Sequence, residues 1–322
     1  MKVNIAVIGC GIWGENIARN ASELGVLACV CDSHRDRAIS FSQKFSCPAF
    51  SFDQILNDNT LNGVIIATNA NTHEKLACEA LNARKHVYVE KPLALSMSSA
   101  LSIKQCAINT NKQVMVGHLL QYHPAYVELK NFVNDGFIGE LQHIQATRLA
   151  MGRIKKSESA LFDLCPHDIS QILGIVREVP TSINCRNATH VEHSDGDIIF
   201  TSLKFPNGVT AIMHSSWYSP YKEHRLVVTG SLGSIMFDDT KPSQQKLTFF
   251  KDSIIIEGDT IKVDRAEPEY LPYCNGEPLK NEINAFIEVC KNGKPAITDI
   301  EEGIKVQQIL SEMKSQIDSE IL

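Results

Sequence analysis

The chain has 322 residues, a formal net charge of −6, 43% hydrophobic residues and 21% charged residues. That length suits two domains with a substantial core, and the composition is that of a globular chain. The acidic balance argues against nucleic acid as a partner, and no stretch approaches the roughly 18 apolar residues that span a bilayer.

The chain enters a strand at once. VNIAVIG, from Val3 to Gly9, is short, apolar and rich in β-branched residues. Gly9, Cys10, Gly11, Ile12, Trp13 and Gly14 follow in the pattern G-x-G-x-x-G, and ENIARNASEL then has helical apolar spacing. Gly25 closes that helix, Val26 to Val30 reads as a second strand, and Asp32 lies about 20 residues beyond the glycines. Each residue type has a task in holding a dinucleotide. Gly9 allows the tight turn, Gly11 lets a pyrophosphate approach the backbone, and Gly14 lets the helix pack close to the sheet. The helix N-terminus offers unpaired N–H groups to the phosphates. A carboxylate at Asp32 accepts from both ribose hydroxyls and repels a 2′-phosphate, which favours NAD over NADP.

Strands and helices then alternate. Arg35 to Phe45 reads as a helix with Asp32 or Ser33 near its cap, and Asp53 to Leu56 as a short helix. Gly63 to Ala67, His86 to Val89 and Gln113 to Val116 read as strands, with helices over Thr72 to Ala83 and Ser96 to Ile108 between them. This alternation predicts a parallel, doubly wound sheet, a Rossmann domain over residues 1–120.

The character changes after Gly117. Pro124 to Val133 and Ile169 to Val176 read as helices, and Leu141 to Leu149 as a strand. Further strands are expected at Ser182–Ala188, Asp197–Phe205, Val209–Ser216, Arg225–Thr229, Ser234–Phe237 and Lys246–Phe250, with a hairpin turn at Pro206-Asn207-Gly208. The expectation for residues 121–322 is an α/β domain on a large, mostly antiparallel open sheet. The helix after His167 should cover one face, and the other face is left to pair with a second subunit. Helices at Asn281 to Val289 and Ile300 to Ile317 close the chain and can pack on either domain.

The ten cysteines include no C-x-x-C and no Cys/His cluster of zinc spacing. They read as reduced thiols of a cytoplasmic protein without a signal peptide or a metal.

Two motifs carry chemistry. Glu90-Lys91-Pro92 directly follows a strand, where open α/β sheets bind ligands. A lysine there stabilises a developing alkoxide; taken alone it reads as an ordinary surface lysine, and its position and neighbours change that. Asp163 and His167 stand four apart in FDLCPHDIS, with Pro166 in a first helical turn and Leu164 or Cys165 at the cap. A carboxylate near a histidine holds its tautomer and raises its basicity, which suits removal of a hydroxyl proton. The plainer reading is that His167 and Asp168 cap a helix. His118 and Tyr122 follow the last Rossmann strand and are expected to line a cleft, although Tyr122 also suits a packing role.

Taken together, GCGIWG, IIATNANTHEKLACEAL, VYVEKPLAL and DLCPHDI resemble the Gfo/Idh/MocA family of NAD(P)-dependent sugar and inositol oxidoreductases. The resemblance covers nearly the whole chain. It implies a Rossmann domain followed by an open-sheet domain, Lys91 and His167 at the reacting carbon, and Asp163 in support. It also places Ile12, Trp13, Thr68, Asn69, His73 and Glu90 with the glycines and Asp32 at the cofactor. Asn69 stands where many members have proline, Cys165 replaces a glycine, and Ser170 an aspartate.

GIWGENIARNASELG, GHLLQYHPA, RLAMGRIKKSESALFDLCPHDIS and SSWYSPYKEHRLVVTGSLG further resemble the NAD-dependent nucleotide-sugar 3-dehydrogenases. These oxidise the C3 hydroxyl of UDP-N-acetylglucosamine or its uronate. A pyridoxal-phosphate aminotransferase then installs nitrogen, on the way to 3-amino sugars of lipid A or surface polysaccharide. For such a substrate, Arg148 and Arg153 are candidate cations for the diphosphate, with Lys222 and Arg225 as others. Trp217 and Tyr218 are candidate stacking surfaces. The rivals are a dehydrogenase of free aldoses or inositol and a non-catalytic dinucleotide sensor. A homodimer or homotetramer is expected.

Overall fold

A computed structural model describes residues 2–151, 159–191 and 196–320. By its contacts the chain divides into two compact units, Met1–Tyr122 with Glu277–Gln308, and His123–Gly276 with Ile309–Leu322.

The first unit opens with β1 (Ile5–Ile8), α1 (Ile12–Glu23), β2 (Leu27–Cys31), α2 (Arg35–Phe45) and α3 (Phe52–Asn57). It continues through β3 (Gly63–Ile66), α4 (His73–Asn82), β4 (His86–Glu90), α5 (Met97–Thr110) and β5 (Val114–Gly117). The strands form one parallel sheet in the order β2-β1-β3-β4-β5. Successive residues of a strand point to opposite faces, so each strand feeds two cores. Ile5 and Val7 pack with Ile17, Ala21 and Phe41 on one side. Ala6 and Ile8 pack with Ile55, Leu81 and Ile103 on the other. The Rossmann reading therefore stands. The cap of α2 differs from expectation: it is His34, without a side-chain bond. Asp32 instead accepts from the His34 N–H at 2.7 Å.

The second unit holds α6 (Pro124–Asn134), β6 (Leu141–Met151), α7 (Ala160–Asp163) and α8 (Cys165–Val176). Six strands come next: β7 (Ser182–Ala188), β8 (Ile198–Lys204), β9 (Thr210–Ser216), β10 (Tyr218–Gly230), β11 (Gly233–Asp238) and β12 (Leu247–Phe250). A two-stranded ribbon of β13 (Ser253–Glu257) and β14 (Thr260–Asp264) and the short β15 (Glu269–Tyr270) complete it. The main sheet has eight strands in the order β15-β12-β11-β10-β6-β9-β8-β7, antiparallel except for β6 with β9. The Pro206–Gly208 turn joins β8 to β9, with Gly208 at φ +87°. α8 packs against β6 and β9, and α6 against β11.

α8 begins at Cys165 with Leu164 as its cap, as Pro166 led one to expect, and the apolar pattern from Ile169 is its later part. Two boundaries depart from the sequence reading. β10 begins at Tyr218 and not at Arg225, because an irregular register between Tyr218 and Glu223 accommodates Pro220. The expected second domain of 121–322 also loses α9 (Pro278–Asn292) and the first part of α10 (Ile300–Glu320) to the first unit. The reason is burial. Leu279, Ile283, Phe286 and Ile287 of α9 belong to the core on the Ile5 face of the parallel sheet. The segment before α10 is tied to β5 by the Val116 N–H, which donates to Thr298 O at 2.7 Å. Among the described residues, no helix is long and apolar enough to cross a membrane.

Candidate functional site

The loop from β1 to α1 is shaped as a phosphate cradle. Gly9 has φ +104°, and a Cβ there would collide with the Ala67 carbonyl. A Cβ on Gly14 would strike the carbonyl oxygen of Gly9, so close contact of α1 with the loop needs glycine. Nothing lies within 4 Å of a Cβ placed on Gly11, which leaves that backbone open to a ligand. No side chain caps α1 at Gly11, so its first N–H groups are available to an anion. Ile12 and Trp13 are 69% and 40% exposed beside this loop.

Asp32 stands at the end of β2. One carboxylate oxygen accepts from the Cys10 N–H at 2.7 Å, and the other from the His34 N–H. The two bonds fix the carboxylate beside the glycine loop, and each oxygen keeps a lone pair for a ribose hydroxyl. An open cradle, an uncapped helix and a fixed acid fit NAD.

The loops after β3 and β4 are joined through His73. Its ring is buried, with Nδ1 at 2.9 Å from Pro92 O and Nε2 at 3.2 Å from Thr68 O. Thr68 Oγ1 bonds Thr72 Oγ1 at 2.7 Å, and Asn69 is exposed at the same turn. Lys91–Pro92 is a cis peptide bond. Glu90, just before it, is buried and accepts three hydrogen bonds. Trp13 Nε1 and the Tyr88 hydroxyl donate to Oε1 at 2.6 and 2.9 Å, and the Lys91 N–H donates to Oε2 at 3.2 Å. Burial pushes the Glu90 carboxyl above its ordinary range, while these donors and the Lys91 charge pull it back. Trp13 is thus fixed to the residue before the candidate catalytic lysine.

His118 and Tyr122 follow β5. His118 is 2% exposed, and its Nδ1 lies 2.6 Å from Glu302 Oε2. The Tyr122 hydroxyl meets Thr298 Oγ1 at 3.0 Å, and the ring is in the core of the first unit. Tyr122 therefore packs, and its pairing with Thr298 was not legible locally.

In the second unit, Asp163 ends α7 and His167 stands in the first turn of α8, after Pro166. Both are half-buried. Trp217 is 2% exposed, and its Nε1 donates to Asp163 Oδ2 at 3.1 Å. A buried indole cannot stack on a base, so the stacking expectation for Trp217 is corrected: it holds the aspartate. Tyr218, the other aromatic candidate, is exposed.

Arg148 is likewise turned inward. Its Nε and Nη2 donate to Asp168 Oδ1 at 2.9 and 2.8 Å, and both residues are buried. The guanidinium that the sequence assigns to a diphosphate is engaged by a carboxylate. Burial raises the Asp168 carboxyl and Arg148 opposes that rise. Arg225 pairs with Glu223 at 2.9 Å, and Lys222 is exposed. Arg153 lies outside the described residues. Among the described residues, no cluster of His, Cys, Asp and Glu suits a metal.

The comparisons with known proteins follow the two units. Residues 3–118 match the Gfo/Idh/MocA model described as an oxidoreductase family with an NAD-binding Rossmann fold, and residues 126–236 match a C-terminal domain model of the same family. The scyllo-inositol 2-dehydrogenase (NAD(+)) of Bacillus subtilis is 27% identical over 323 residues, covering 95% of this chain and 92% of that protein. The 2,7-anhydro-N-acetylneuraminate hydratase of Escherichia coli is 23% identical over 253 residues, covering 73% and 68%. Among solved structures, UDP-N-acetylglucosamine 3-dehydrogenase from Acidithiobacillus ferrooxidans superposes with a TM-score of 0.86 at 21% identity, over 100% of both chains. That likeness shows the fold. With both family models matched over most of its length, the chain belongs to the Gfo/Idh/MocA family of oxidoreductases, and its first unit is an NAD-binding Rossmann domain.

Proposed function

We propose that the protein oxidises the C3 hydroxyl of UDP-N-acetylglucosamine to a ketone with NAD as acceptor. The observation that carries a catalytic reading over a sensor is the way both candidate catalytic positions are built. Lys91 follows a carboxylate held by three donors, and Asp163 is held by a buried indole. A binding module needs neither arrangement.

When bound, NAD accepts the hydride from the substrate carbon. Lys91 lowers the pKa of the hydroxyl, His167 takes its proton, and Asp163 orients His167. The two roles can also be exchanged, with Lys91 taking the proton and His167 supporting the oxygen. Thr68, Asn69 and His73 shape the cofactor side, and His118 borders the substrate. With Arg148 engaged by Asp168, the diphosphate falls to the other candidate cations, Lys222 and Arg153, and stacking to the exposed Tyr218.

The nucleotide-sugar reading is supported by the four stretches named above and by the full-length structural likeness to a UDP-N-acetylglucosamine 3-dehydrogenase. A second reading, oxidation of a cyclitol or free sugar, is favoured by the inositol dehydrogenase matched over 95% of this chain and by the inward turn of Arg148. The 3-keto product is the substrate type of a pyridoxal-phosphate aminotransferase. We place that enzyme downstream, on a cytoplasmic route to 3-amino sugars. The open sheet face, with Phe200 50% and Ile212 42% exposed, suits pairing with a second copy as a dimer or tetramer.

The test is NADH formation with UDP-N-acetylglucosamine, its uronate, free glucose and inositols, each with and without a 3-keto-sugar aminotransferase and glutamate. Turnover with the UDP-sugar, inhibited by UDP, supports the first reading. Turnover confined to inositols or free sugars moves the assignment to the second. NAD binding without turnover on any of them leaves the sensor.

A further inference from the structure

α9 carries one acid on its buried face. Glu282 is 0% exposed, between core residues Leu279 and Phe286 on the same helix. Neither of its carboxyl oxygens has a hydrogen-bond partner of good geometry. A carboxylate left in that state is strongly disfavoured, because its charge is taken out of water with nothing to compensate it. The charged group that acts on Glu282 is another carboxyl, Glu90, and burial and that neighbour together push it well above its ordinary range.

The two acids have unequal settings. Glu90 receives Trp13 Nε1, the Tyr88 hydroxyl and the Lys91 N–H, and it feels the Lys91 charge. Glu282 has the Tyr88 hydroxyl as the donor acting on it. That hydroxyl has a single proton and gives it to Glu90 at 2.9 Å; its oxygen can still accept. When two carboxyls share a site, the proton settles where the anion is least supported. Tyr122, the other titratable group facing Glu282, is neutral and bonded to Thr298, and Glu302 beyond it pairs with His118. Gly117 completes the arrangement, because a Cβ there would come within 2.7 Å of the Tyr88 hydroxyl and 2.9 Å of Glu90 Oε2.

We propose that Glu282 is a neutral carboxylic acid that donates a hydrogen bond to the Tyr88 hydroxyl, whose own proton goes to Glu90, so that Glu282 is a positioning residue fixing the charge beside Trp13 and Lys91. The pair then carries one negative charge at the cofactor loop and not two. Loss of the Glu282 proton at alkaline pH adds a second buried carboxylate, which favours the oxidised cofactor, whose nicotinamide ring is cationic, over the reduced one, whose ring is neutral. This last consequence rests on the reading of the first unit as an NAD site.

The test is the infrared carbonyl-stretch band of a protonated carboxylic acid, recorded on the cofactor-free protein at mildly alkaline pH, where ordinary carboxyls are ionised. The expected result is a band in the wild type that is lost in Glu282→Gln and shifted in Tyr88→Phe. A wild type without the band overturns the proposal, and so does a band that survives Glu282→Gln or disappears only in Asp168→Asn. A band unmoved by Tyr88→Phe overturns the route through the hydroxyl. If Glu282→Gln fails to fold, the band is assigned by the other two variants: it must persist in Asp168→Asn and shift in Tyr88→Phe, and failure of either overturns the proposal. In a second arm, NAD+ and NADH dissociation constants are measured from neutral to alkaline pH. The ratio favouring NAD+ rises in the wild type and stays flat in Glu282→Gln; equal slopes overturn the positioning role. Failure of the wild type to bind either cofactor strikes the NAD reading, while the infrared result stands on its own.

Discussion

Trp217 Nε1 donates to Asp163 Oδ2 at 3.1 Å, joining residues 54 positions apart. The indole is buried and the carboxylate half-buried, so the bond fixes the aspartate from the protein side. Trp217→Phe keeps the packing and removes the donor. A hydrogen bond to a charged group contributes about 1.5–3 kcal/mol, so turnover should fall roughly tenfold or more. NAD affinity, read by titration of the remaining Trp13 fluorescence, should not change. Turnover equal to wild type would remove Trp217 from the positioning of Asp163.

Lys91→Met and His167→Ala test the acid–base assignment directly. Each should lower turnover by about 10²-fold or more while NAD still binds. Unchanged turnover in either variant takes that residue out of the mechanism. If both variants fall equally and the double variant falls no further, the two act as one unit.

Arg148 and Asp168 form a buried pair with two N–H bonds on one carboxylate oxygen. Breaking such a pair leaves an uncompensated charge and costs about 3–5 kcal/mol. Arg148→Met should therefore lower the urea midpoint of unfolding strongly. A diphosphate ligand would behave differently: the same substitution would raise KM for a UDP-sugar and leave the urea midpoint in place.

The contrast between Arg148 and Asp32 shows what a sequence can convey here. The glycine loop, the strand before it and Asp32 are local, and their spacing encodes the site; the structure places them as read. The five parallel strands and most of the open sheet were legible for the same reason, because periodicity is local. Arg148, Trp217 and Glu282 each face a partner that is distant in sequence or absent. Alternation along β6 tells which face Arg148 takes, but not that Asp168 waits there. Glu282 reads as one more acid on an amphipathic helix until α9 is found on the parallel sheet. The start of α8 was legible from Pro166 at its first turn, although the apolar pattern itself begins only at Ile169.

Acid should weaken the fold through one buried and one half-buried histidine. His86 is 7% exposed, its Nδ1 accepts from the Gln113 N–H at 3.1 Å, and burial lowers its pKa to about 4. The accepted bond requires the neutral ring, in agreement with that direction. His224 is lowered to about 4 by burial and by the nearby Arg148 and Lys222. The unfolded chain protonates both near the ordinary histidine value of about 6.5. Between that value and about 4 the unfolded state therefore binds more protons than the folded state. Stability is then fully present above the unfolded value and is lost as pH falls through this window. His86→Asn keeps an acceptor for Gln113 and cannot take the proton. Urea midpoints at about pH 7 and about pH 5 should differ less in His86→Asn than in the wild type, with the remaining slope carried by His224. An equal pH dependence in the two proteins would show that His86 is protonated in the folded state.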